Sequence, residues 1–311
     1  MIHTIDCGYT MPRYAAAYLL VHDGKAAFID NNTAHAVPTM LQTLEQQGLT
    51  PEDVELCIIT HVHLDHAGGS SALMKACPNA TLVAHPRAAR HAIDPSKLIA
   101  SASQVYGEAK FEELYGKIEP ISEARVKTME DGETLDFNGR TLAFLHTRGH
   151  ANHHFVIVDD AESAVFTGDA FGLCYPDLCE DGLFVFPSTS PTDFDGELAR
   201  EAVQRIVNTG MSTAYPTHFG PVTRLEEARD QMIEWLNFSE ALMEEARDSD
   251  QPDDALTAYI EPKLRARFEG RLADTSVGRD PATWDRLAMD IDLNAQGLAF
   301  IAAKQRKKAR Q

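Results

Sequence analysis

The sequence predicts a globular α+β protein, with strands and helices mixed over the first two-thirds of the chain and helices over the last third. Apolar residues make up 44% and charged residues 24% of the 311 residues, the balance of a protein with a full hydrophobic core. Short apolar runs alternate with helical patterns up to about residue 220, and the chain looks helical beyond it. This composition excludes a disordered, fibrous or disulfide-scaffold protein.

The first elements are a hairpin, a helix and a buried strand. Residues 15–21 and 25–30 are apolar runs joined by Asp23-Gly24, and Asp-Gly is a hairpin signal. An apolar face over 37–44 predicts a helix. The run 54–60, rich in β-branched residues, predicts a buried strand that leads straight into a cluster of polar residues.

The remaining elements follow the same alternation before the pattern changes. A helix is predicted near 70–76, helical material up to about 115, a helix at 193–208, and strands at 80–84, 125–129, 133–137, 140–146, 153–159, 163–168 and 212–216. The long segment 170–192 contains three Pro and two Gly and predicts a functional loop. We expect a catalytic domain over 1–223 and a helical C-terminal extension over 224–311, broken near 248–254 and 274–282.

The charge balance narrows the choice of partners. The chain has 28 Lys plus Arg against 47 Asp plus Glu, a net charge of −19. Such a chain repels phosphate backbones and anionic membranes, so we expect a small-molecule substrate rather than nucleic acid or a membrane. Five cysteines fit a reducing compartment. With no signal peptide or membrane span recognised, a cytoplasmic location is expected.

Four residues of metal-ligand type follow the strand at 54–60. They are His61, His63, Asp65 and His66, and imidazole and carboxylate are the usual ligands of zinc and similar divalent ions. In an extended loop His61 and His63 point the same way and can bind one ion together. Asp65 and His66 then face elsewhere and are available to a second ion.

Three later apolar runs each deliver one more ligand-type residue. His150 follows LAFLHTRG, Asp169 follows AVFTG, and His218 follows AYPT. Each residue comes after a predicted strand, at the same edge of a sheet. Five His and two Asp are enough for two ions that share a bridging carboxylate and a bridging water.

These motifs resemble a known family. THVHLDHAGG is similar to the HxHxDH signature of the metallo-β-lactamase-fold hydrolases, and the later GH, GD and THFG elements come in that family's order over about residues 1–220. The resemblance implies a four-layer αββα sandwich with the metals at one edge between two sheets. It implies a first metal bound by His61, His63 and His150, a second bound by Asp65, His66 and His218, and a bridge at Asp169.

The resemblance also implies an activity, closest to glyoxalase II and the lactonases. A dinuclear metal-dependent hydrolase would cleave a small ester, lactone or thioester with a hydroxide held between two divalent ions. Asp65 would orient that hydroxide and return a proton to the leaving group. Zinc is the first expectation, with manganese or iron accepted by the same ligands. The C-terminal helices would form a lid or a homodimer interface.

Other reactions on this fold remain open. The alternatives are an iron-dependent oxidoreductase of the di-iron, oxygen-reducing kind and a persulfide dioxygenase. The flavodiiron proteins have a carboxylate where His63 stands, and the region after His218 lacks a flavodoxin-like pattern.

Two departures from the family are Arg148, where Pro is common, and Asp30-Asn31-Asn32, where relatives often have Asp-x-Gly. Neither removes a ligand.

Several other residues are open between functional and packing roles. His85 sits at a strand end, and either His153 or His154 is expected to face inward. Cys174 and Cys179 lack CxxC spacing, so a metal or redox role is not expected. Four aromatic residues of the long loop fit a substrate pocket or the core equally well; they are Phe171, Tyr175, Phe184 and Phe186.

Overall fold

The structure is a computed structural model that describes residues 1–189 and 193–310. Within these ranges, only the backbone is described at residues 104–106. Residues 190–192, the end of the predicted functional loop, and residue 311 lie outside the described residues. The first sheet contains six strands, which are β1 (Ile2–Asp6), β2 (Ala16–His22), β3 (Lys25–Ile29), β4 (Val54–Ile58), β5 (Thr81–Ala84) and β6 (Val126–Thr128). They lie side by side in chain order, the first three antiparallel and the rest parallel.

The second sheet contains five strands, which are β7 (Thr134–Phe137), β8 (Arg140–His146), β9 (Phe155–Asp159), β10 (Ala164–Gly168) and β11 (Thr213–Pro216). The strand order is β11-β10-β9-β8-β7. Adjacent strands pair antiparallel except β10 and β11, which run parallel. Helix α7 forms the crossover that a parallel pair requires, and it spans Gly196–Val207.

The helices lie between the strands and after the last strand. The other nine α-helices of the described residues are α1 (Val37–Gln46), α2 (Leu64–Ala67), α3 (Ser70–Ala76), α4 (Pro86–Ile93), α5 (Ser96–Tyr106), α6 (Glu108–Tyr115), α8 (Leu225–Asp248), α9 (Leu256–Leu272) and α10 (Pro281–Ala309). Helices α1, α3, α8, α9 and α10 lie close to their predicted bounds. Helices α4 to α6 were predicted only as helical material up to about 115, and α2 was not predicted. Helix α7 was predicted from residue 193 but begins later, because the Asp195 carboxylate caps it by accepting a hydrogen bond from the Leu198 amide at 3.1 Å.

The four predicted layers are visible in how the core divides. The inner faces of the two sheets pack together through residues such as Tyr18 and Ile29 from one sheet and Phe144 and Phe166 from the other. The outer face of the first sheet packs on α1, α3 and α4. The outer face of the second sheet packs on α7 and α8. This arrangement confirms the predicted αββα sandwich with a helical C-terminus.

The C-terminal helices pack into the same core as the sheets. Trp235 of α8, Phe268 of α9 and Leu298 of α10 are all buried in the cluster that lies between the sheets. The predicted breaks near 248–254 and 274–282 fall in the two connections between these helices. In the described part of the chain, no helix is both long and apolar enough to cross a membrane.

The ends of several strands meet at one edge of the sandwich. The Asp30 carboxylate, directly after β3, accepts hydrogen bonds from the Thr60 amide beyond β4 at 2.8 Å and from the Thr217 hydroxyl beyond β11 at 2.6 Å. These contacts connect the first sheet to the second. The loops that carry the predicted ligands therefore start from the same place.

Candidate metal centre

The loop after β4 carries the first four predicted ligands. His61 lies three residues beyond β4, and His63 precedes α2 with an extended backbone conformation. Asp65 and His66 lie in α2 itself, so the chain turns between the two pairs. His61 Nε2 is 2.8 Å from His63 Nδ1, a distance at which the two rings could contact one ion.

Two glycines let this loop pack against the loop that follows β3. A Cβ on Gly68 would come within 2.4 Å of the Leu64 carbonyl oxygen, and one on Gly69 within 2.5 Å of the Asn31 carbonyl oxygen. The Gly69 amide donates to the Asn32 carbonyl at 2.9 Å. A side chain at either position would therefore push the ligands away from the strands that position them.

The three later ligands come from the second sheet. Asp169 follows β10 directly, His218 lies two residues beyond β11, and His150 lies four residues beyond β8. All seven predicted ligands come together at the sheet edge. Their donor atoms form three overlapping groups, each with all atoms within 4.8 Å of one another: His61, His63 and His150; His61, His66 and Asp169; and Asp65, His66 and His218.

Asp169 faces two different groups of ligand atoms. Its Oδ2 is 3.4 Å from His150 Nε2. Its Oδ1 is 3.2 Å from His66 Nε2 and 3.8 Å from His218 Nε2. One carboxylate oxygen therefore faces each of the two ligand groups that the family resemblance implies.

The residues present fit divalent metal ions. Two buried polar atoms of the cluster, His66 Nε2 and Asp169 Oδ1, lie 3.2 Å apart, and neither makes a hydrogen bond of good geometry within the described residues. A buried acceptor without a partner is costly, and a metal ion would satisfy both atoms. Five imidazoles and two carboxylates are also the donor set that zinc and similar ions prefer.

The second ring nitrogen of each of three histidines is held by a hydrogen bond. His218 Nδ1 is 2.8 Å from the Tyr14 carbonyl oxygen, His150 Nδ1 is 3.3 Å from the Ser188 carbonyl oxygen, and His66 Nδ1 is 2.9 Å from Asp30 Oδ2. Each partner is an acceptor, so each Nδ1 carries the proton. The lone pair then lies on Nε2, which faces the cluster.

Burial and attraction between opposite charges set the pKa values of the cluster. Burial, with repulsion from neighbouring histidines, holds the pKa of His61 and His63 well below its usual value, so both rings are neutral near pH 7. Burial opposes ionisation of Asp65 and Asp169, but His66 and His218 outweigh it and lower the pKa of both carboxyls. In return, the two carboxylates outweigh burial and raise the pKa of His66 and His218. Because the ligand forms are neutral imidazole and ionised carboxylate, a bound metal ion would take the place of a proton on these two rings.

A cavity of about 670 Å³ opens onto the cluster. Its walls include His63, Asp65, His150, Asp169 and His218, residues of α5 and α6, and residues of α10. The Asp65 side chain is 28% exposed, whereas that of Asp169 is 5% exposed. Asp65 is therefore accessible to a molecule in the cavity.

Comparison with known proteins decides the family. The sequence model of the Metallo-beta-lactamase superfamily matches residues 10–232, which is well over half of the chain. The chain belongs to the metallo-beta-lactamase superfamily. The resemblance carried by THVHLDHAGG is thus confirmed, and the matched range contains all seven predicted ligands.

Relatives in this superfamily have several different names. The chain is 25% identical over 239 residues to the metallo-beta-lactamase fold-containing protein ST1585 of Sulfurisphaera tokodaii, covering 75% of this chain and 84% of ST1585. It is 25% identical to the hydroxyacylglutathione hydrolase of Aeromonas salmonicida, covering 51% and 48%. It is 27% identical to the coenzyme F420H(2) oxidase of Methanothermobacter marburgensis, covering 54% and 38%. The chain spans less than half the length of the last two proteins.

Two solved structures share the fold over nearly the whole chain. The crystal structure of ST1585 aligns with a TM-score of 0.65 and 20% identity, covering 96% of this chain and 97% of that one. The metallo-beta-lactamase family protein TTHA1429 from Thermus thermophilus gives the same TM-score and identity, covering 99% and 94%. The shared fold therefore includes C-terminal helices as well as the sheets.

Asp30 connects the ligand loops, a role that the sequence did not predict. Asp30 is 1% exposed, and its carboxylate contacts Thr60, His66 and Thr217. The signal was present as a repeated Thr-His pair, because Thr60 and Thr217 each precede a ligand histidine. Both hydroxyls donate to Asp30. The segment Asp30-Asn31-Asn32, which stands where relatives often have Asp-x-Gly, therefore keeps the aspartate.

His154 is the inward-facing residue of the pair for which the sequence left the choice open. It is fully buried, and its Nδ1 is 2.8 Å from the Thr147 hydroxyl. Its Nε2 accepts a hydrogen bond from the Asp169 amide at 3.3 Å. His154 therefore supports the backbone of the bridging candidate, while His153 lies partly exposed beside it.

The other open residues have packing or surface roles. His85 caps α4 by accepting a hydrogen bond from the Arg87 amide at 3.0 Å. Arg148 is exposed and donates to Asn152. Cys174 Sγ lies 3.6 Å from Cys179 Sγ, although the spacing did not suggest contact. The four aromatic residues of the long loop are all buried, and Phe184 and Phe186 pack against Phe268.

Proposed function

We propose that the chain is a dinuclear metallohydrolase that cleaves a small ester, lactone or thioester. The observation that carries the proposal is the position of Asp169, whose two oxygens face two ligand groups. Zinc is the proposed metal because neutral imidazoles dominate the donor set. His61, His63 and His150 would hold the first ion, and Asp65, His66 and His218 the second.

The bound ions would supply a nucleophilic hydroxide at neutral pH and polarise the substrate carbonyl. The chain's own residues prepare this chemistry. Hydrogen bonds from Nδ1 of His66, His150 and His218 fix the rings, so their lone pairs need no rearrangement. Asp65 is exposed to the cavity and lies 3.3 Å from His218, where it would accept a proton from water and pass it to the leaving group.

The cavity supports a small-molecule substrate. Its volume of about 670 Å³ lies within the range usual for small ligands. One relative is named hydroxyacylglutathione hydrolase, and the compound in that name is a small thioester, which supports a thioester, ester or lactone here. The walls close to the cluster include Tyr9, Tyr14 and Leu64, and these side chains would shield the reacting carbonyl from bulk water.

An iron-dependent oxidoreductase is the second candidate. The observation that favours it is the similarity to coenzyme F420H(2) oxidase over 176 residues. That match covers 38% of the oxidase, and the described residues after His218 form helices α8, α9 and α10 with no βαβ unit. We therefore rank hydrolysis first.

The test uses one preparation loaded with zinc and another loaded with iron. We expect the zinc protein to hydrolyse at least one of p-nitrophenyl acetate, γ-butyrolactone and S-lactoylglutathione, and to lose that activity with a chelator. Oxygen or persulfide consumption by the iron protein, with no hydrolysis by the zinc protein, would replace the hydrolase with the oxidoreductase.

A further inference from the structure

Helix α10 places a buried carboxylate in the wall of the cavity that contains the metal-binding candidates. Asp290 is 5% exposed and lines this cavity. Its Oδ1 accepts hydrogen bonds from the Tyr14 hydroxyl at 2.8 Å and the Tyr175 hydroxyl at 3.3 Å. Its Oδ2 is buried and makes no hydrogen bond within the described residues. A buried carboxylate oxygen without a partner is costly, so a hydrogen-bond donor on a bound molecule would stabilise it.

Asp290 is separated from the metal centre by a single aromatic ring. The Tyr14 ring stacks on Tyr175 with 5.1 Å between ring centres and meets His218 edge-on at 5.5 Å. The Tyr14 carbonyl also accepts the hydrogen bond from His218 Nδ1. A small molecule could therefore contact Asp290 with one end while its other end reaches the metal ligands.

The charges of the residues that line the cavity disfavour binding of an anion near Asp290. Among its described lining residues there are four aspartates and no lysine or arginine. Asp65 and Asp169 face histidines, whereas Asp290 faces two tyrosines. Arg286, one turn earlier on α10, lies over the Tyr175 ring and donates to Asp177 at 2.7 Å.

We propose that Asp290 is a specificity-determining residue that binds a protonated amine of the substrate, with Oδ2 accepting its N–H. A charged donor on a buried carboxylate makes one of the stronger hydrogen bonds in proteins. The inference rests on the proposed function in treating the bound molecule as a substrate. The substrate class is then an ester, lactone or thioester that carries an amino group.

A binding measurement tests the site without requiring turnover. Isothermal titration calorimetry on zinc-loaded protein at pH 8 compares 2-phenylethylamine, which is protonated, with 2-phenylethanol, which is neutral and of similar size. Burial raises the pKa of Asp290 to about 6, so its carboxylate is ionised at pH 8. We expect the amine to bind at least about tenfold more tightly than the alcohol.

Two variants locate the preference. Asp290→Asn keeps an acceptor for the two tyrosine hydroxyls and should abolish the preference for the amine. Asp285→Asn makes the same charge change at an exposed position on the same helix and should retain it. If Asp290→Asn does not fold, the comparison of amine and alcohol binding by the wild-type protein still tests the proposal.

Three results separate the possible outcomes. Equal binding of amine and alcohol by the wild type would overturn the proposal. An Asp290→Asn protein that still binds the amine more tightly than the alcohol, and differs from the wild type only in zinc affinity, would also overturn the proposal. Asp290 would then act on the metal centre. A preference for the amine without hydrolysis of any ester, lactone or thioester would support the subsite and contradict the hydrolase function.

Discussion

At the scale of single residues, Asp169 matters most, because its two carboxylate oxygens face different groups of ligand atoms. Replacing it with alanine would remove one donor from each group. We expect Asp169→Ala to lower kcat/KM by more than the roughly 10–100-fold that outer contacts of a metal site contribute. The variant should also bind fewer metal ions while its circular dichroism spectrum stays that of the wild type.

Asp65→Ala is expected to lower kcat/KM by a similar factor, because the Asp65 side chain is exposed to the cavity and is proposed to orient the hydroxide. The matched control is Asp160→Ala, which removes an exposed aspartate from a turn remote from the cluster. Near-normal turnover in either the Asp65 or the Asp169 variant would contradict the assigned roles.

Thr217 tests the contacts behind the ligands. Its hydroxyl donates to Asp30 at 2.6 Å, and Asp30 in turn holds His66. Thr217→Val keeps the shape but removes this donor, so we expect metal affinity to fall about 10–100-fold in a chelator competition. Thr213→Val, at the first residue of β11 and distant from Asp30, should bind metal like the wild type. Equal affinity in both variants would mean that Asp30 does not position the ligands.

The sequence predicted the ligands better than their supports. Seven ligand candidates are recognisable because each is a residue of metal-binding type that follows an apolar run, as His218 does after AYPT. Asp30 also follows an apolar run, but nothing local shows that Asp30 or His154 supports the ligands. Their roles depend on which loops meet across the two sheets, and that is set by tertiary packing.

At the scale of helices and strands, local patterns predicted ten of the eleven described strands and most of the long helices, because apolar periodicity reports the buried face directly. Strand β1 and the short helix α2 were not predicted. Element ends were less accurate where a cap decides them, as Asp195 does for α7. The contribution of α10 to the cavity was not predictable. Asp290 lies more than seventy residues after the last ligand, and nothing in the helical pattern indicates which neighbour α10 packs against.

Helix α10 also contributes to stability independently of the metal site. Leu298 is fully buried in the central cluster, whereas Phe300 is 47% exposed two residues later. We expect Leu298→Ala to lower the free energy of unfolding by about 2–5 kcal/mol, from lost burial and a cavity. Phe300→Ala should change it by less than about 0.5 kcal/mol. Urea unfolding of metal-free protein measures both, and similar losses would show that α10 does not pack as described.

At the scale of the whole molecule, the buried carboxylate of Asp290 makes stability depend on pH. Burial raises its pKa to about 6, against the opposing effects of Tyr14, His218, Tyr175 and Arg286. Between about pH 4, the pKa of an unfolded aspartate, and pH 6, the folded state holds more protons than the unfolded state. Stability from this group is therefore lost as the pH rises through that window.

Asp290→Asn removes the loss of stability that ionisation of this buried carboxyl causes. In metal-free protein we expect the variant to be more stable than the wild type at pH 8, by at most about 3 kcal/mol. Most of the difference should be lost near pH 4, where the folded wild-type carboxyl is protonated and the unfolded one is about half protonated. Urea unfolding at the two pH values measures it, and a variant less stable than the wild type at pH 8 would contradict the burial argument.

The chain is proposed to bind two metal ions through seven ligands. Metal content per chain, measured by mass spectrometry on protein purified without chelator and without a nickel column, tests this stoichiometry. We expect about two ions per chain, with zinc as the expected metal, and a lower content in Asp169→Ala. A wild-type chain that holds one ion or none, and takes up no more when supplied with zinc, manganese or iron, would contradict the dinuclear site.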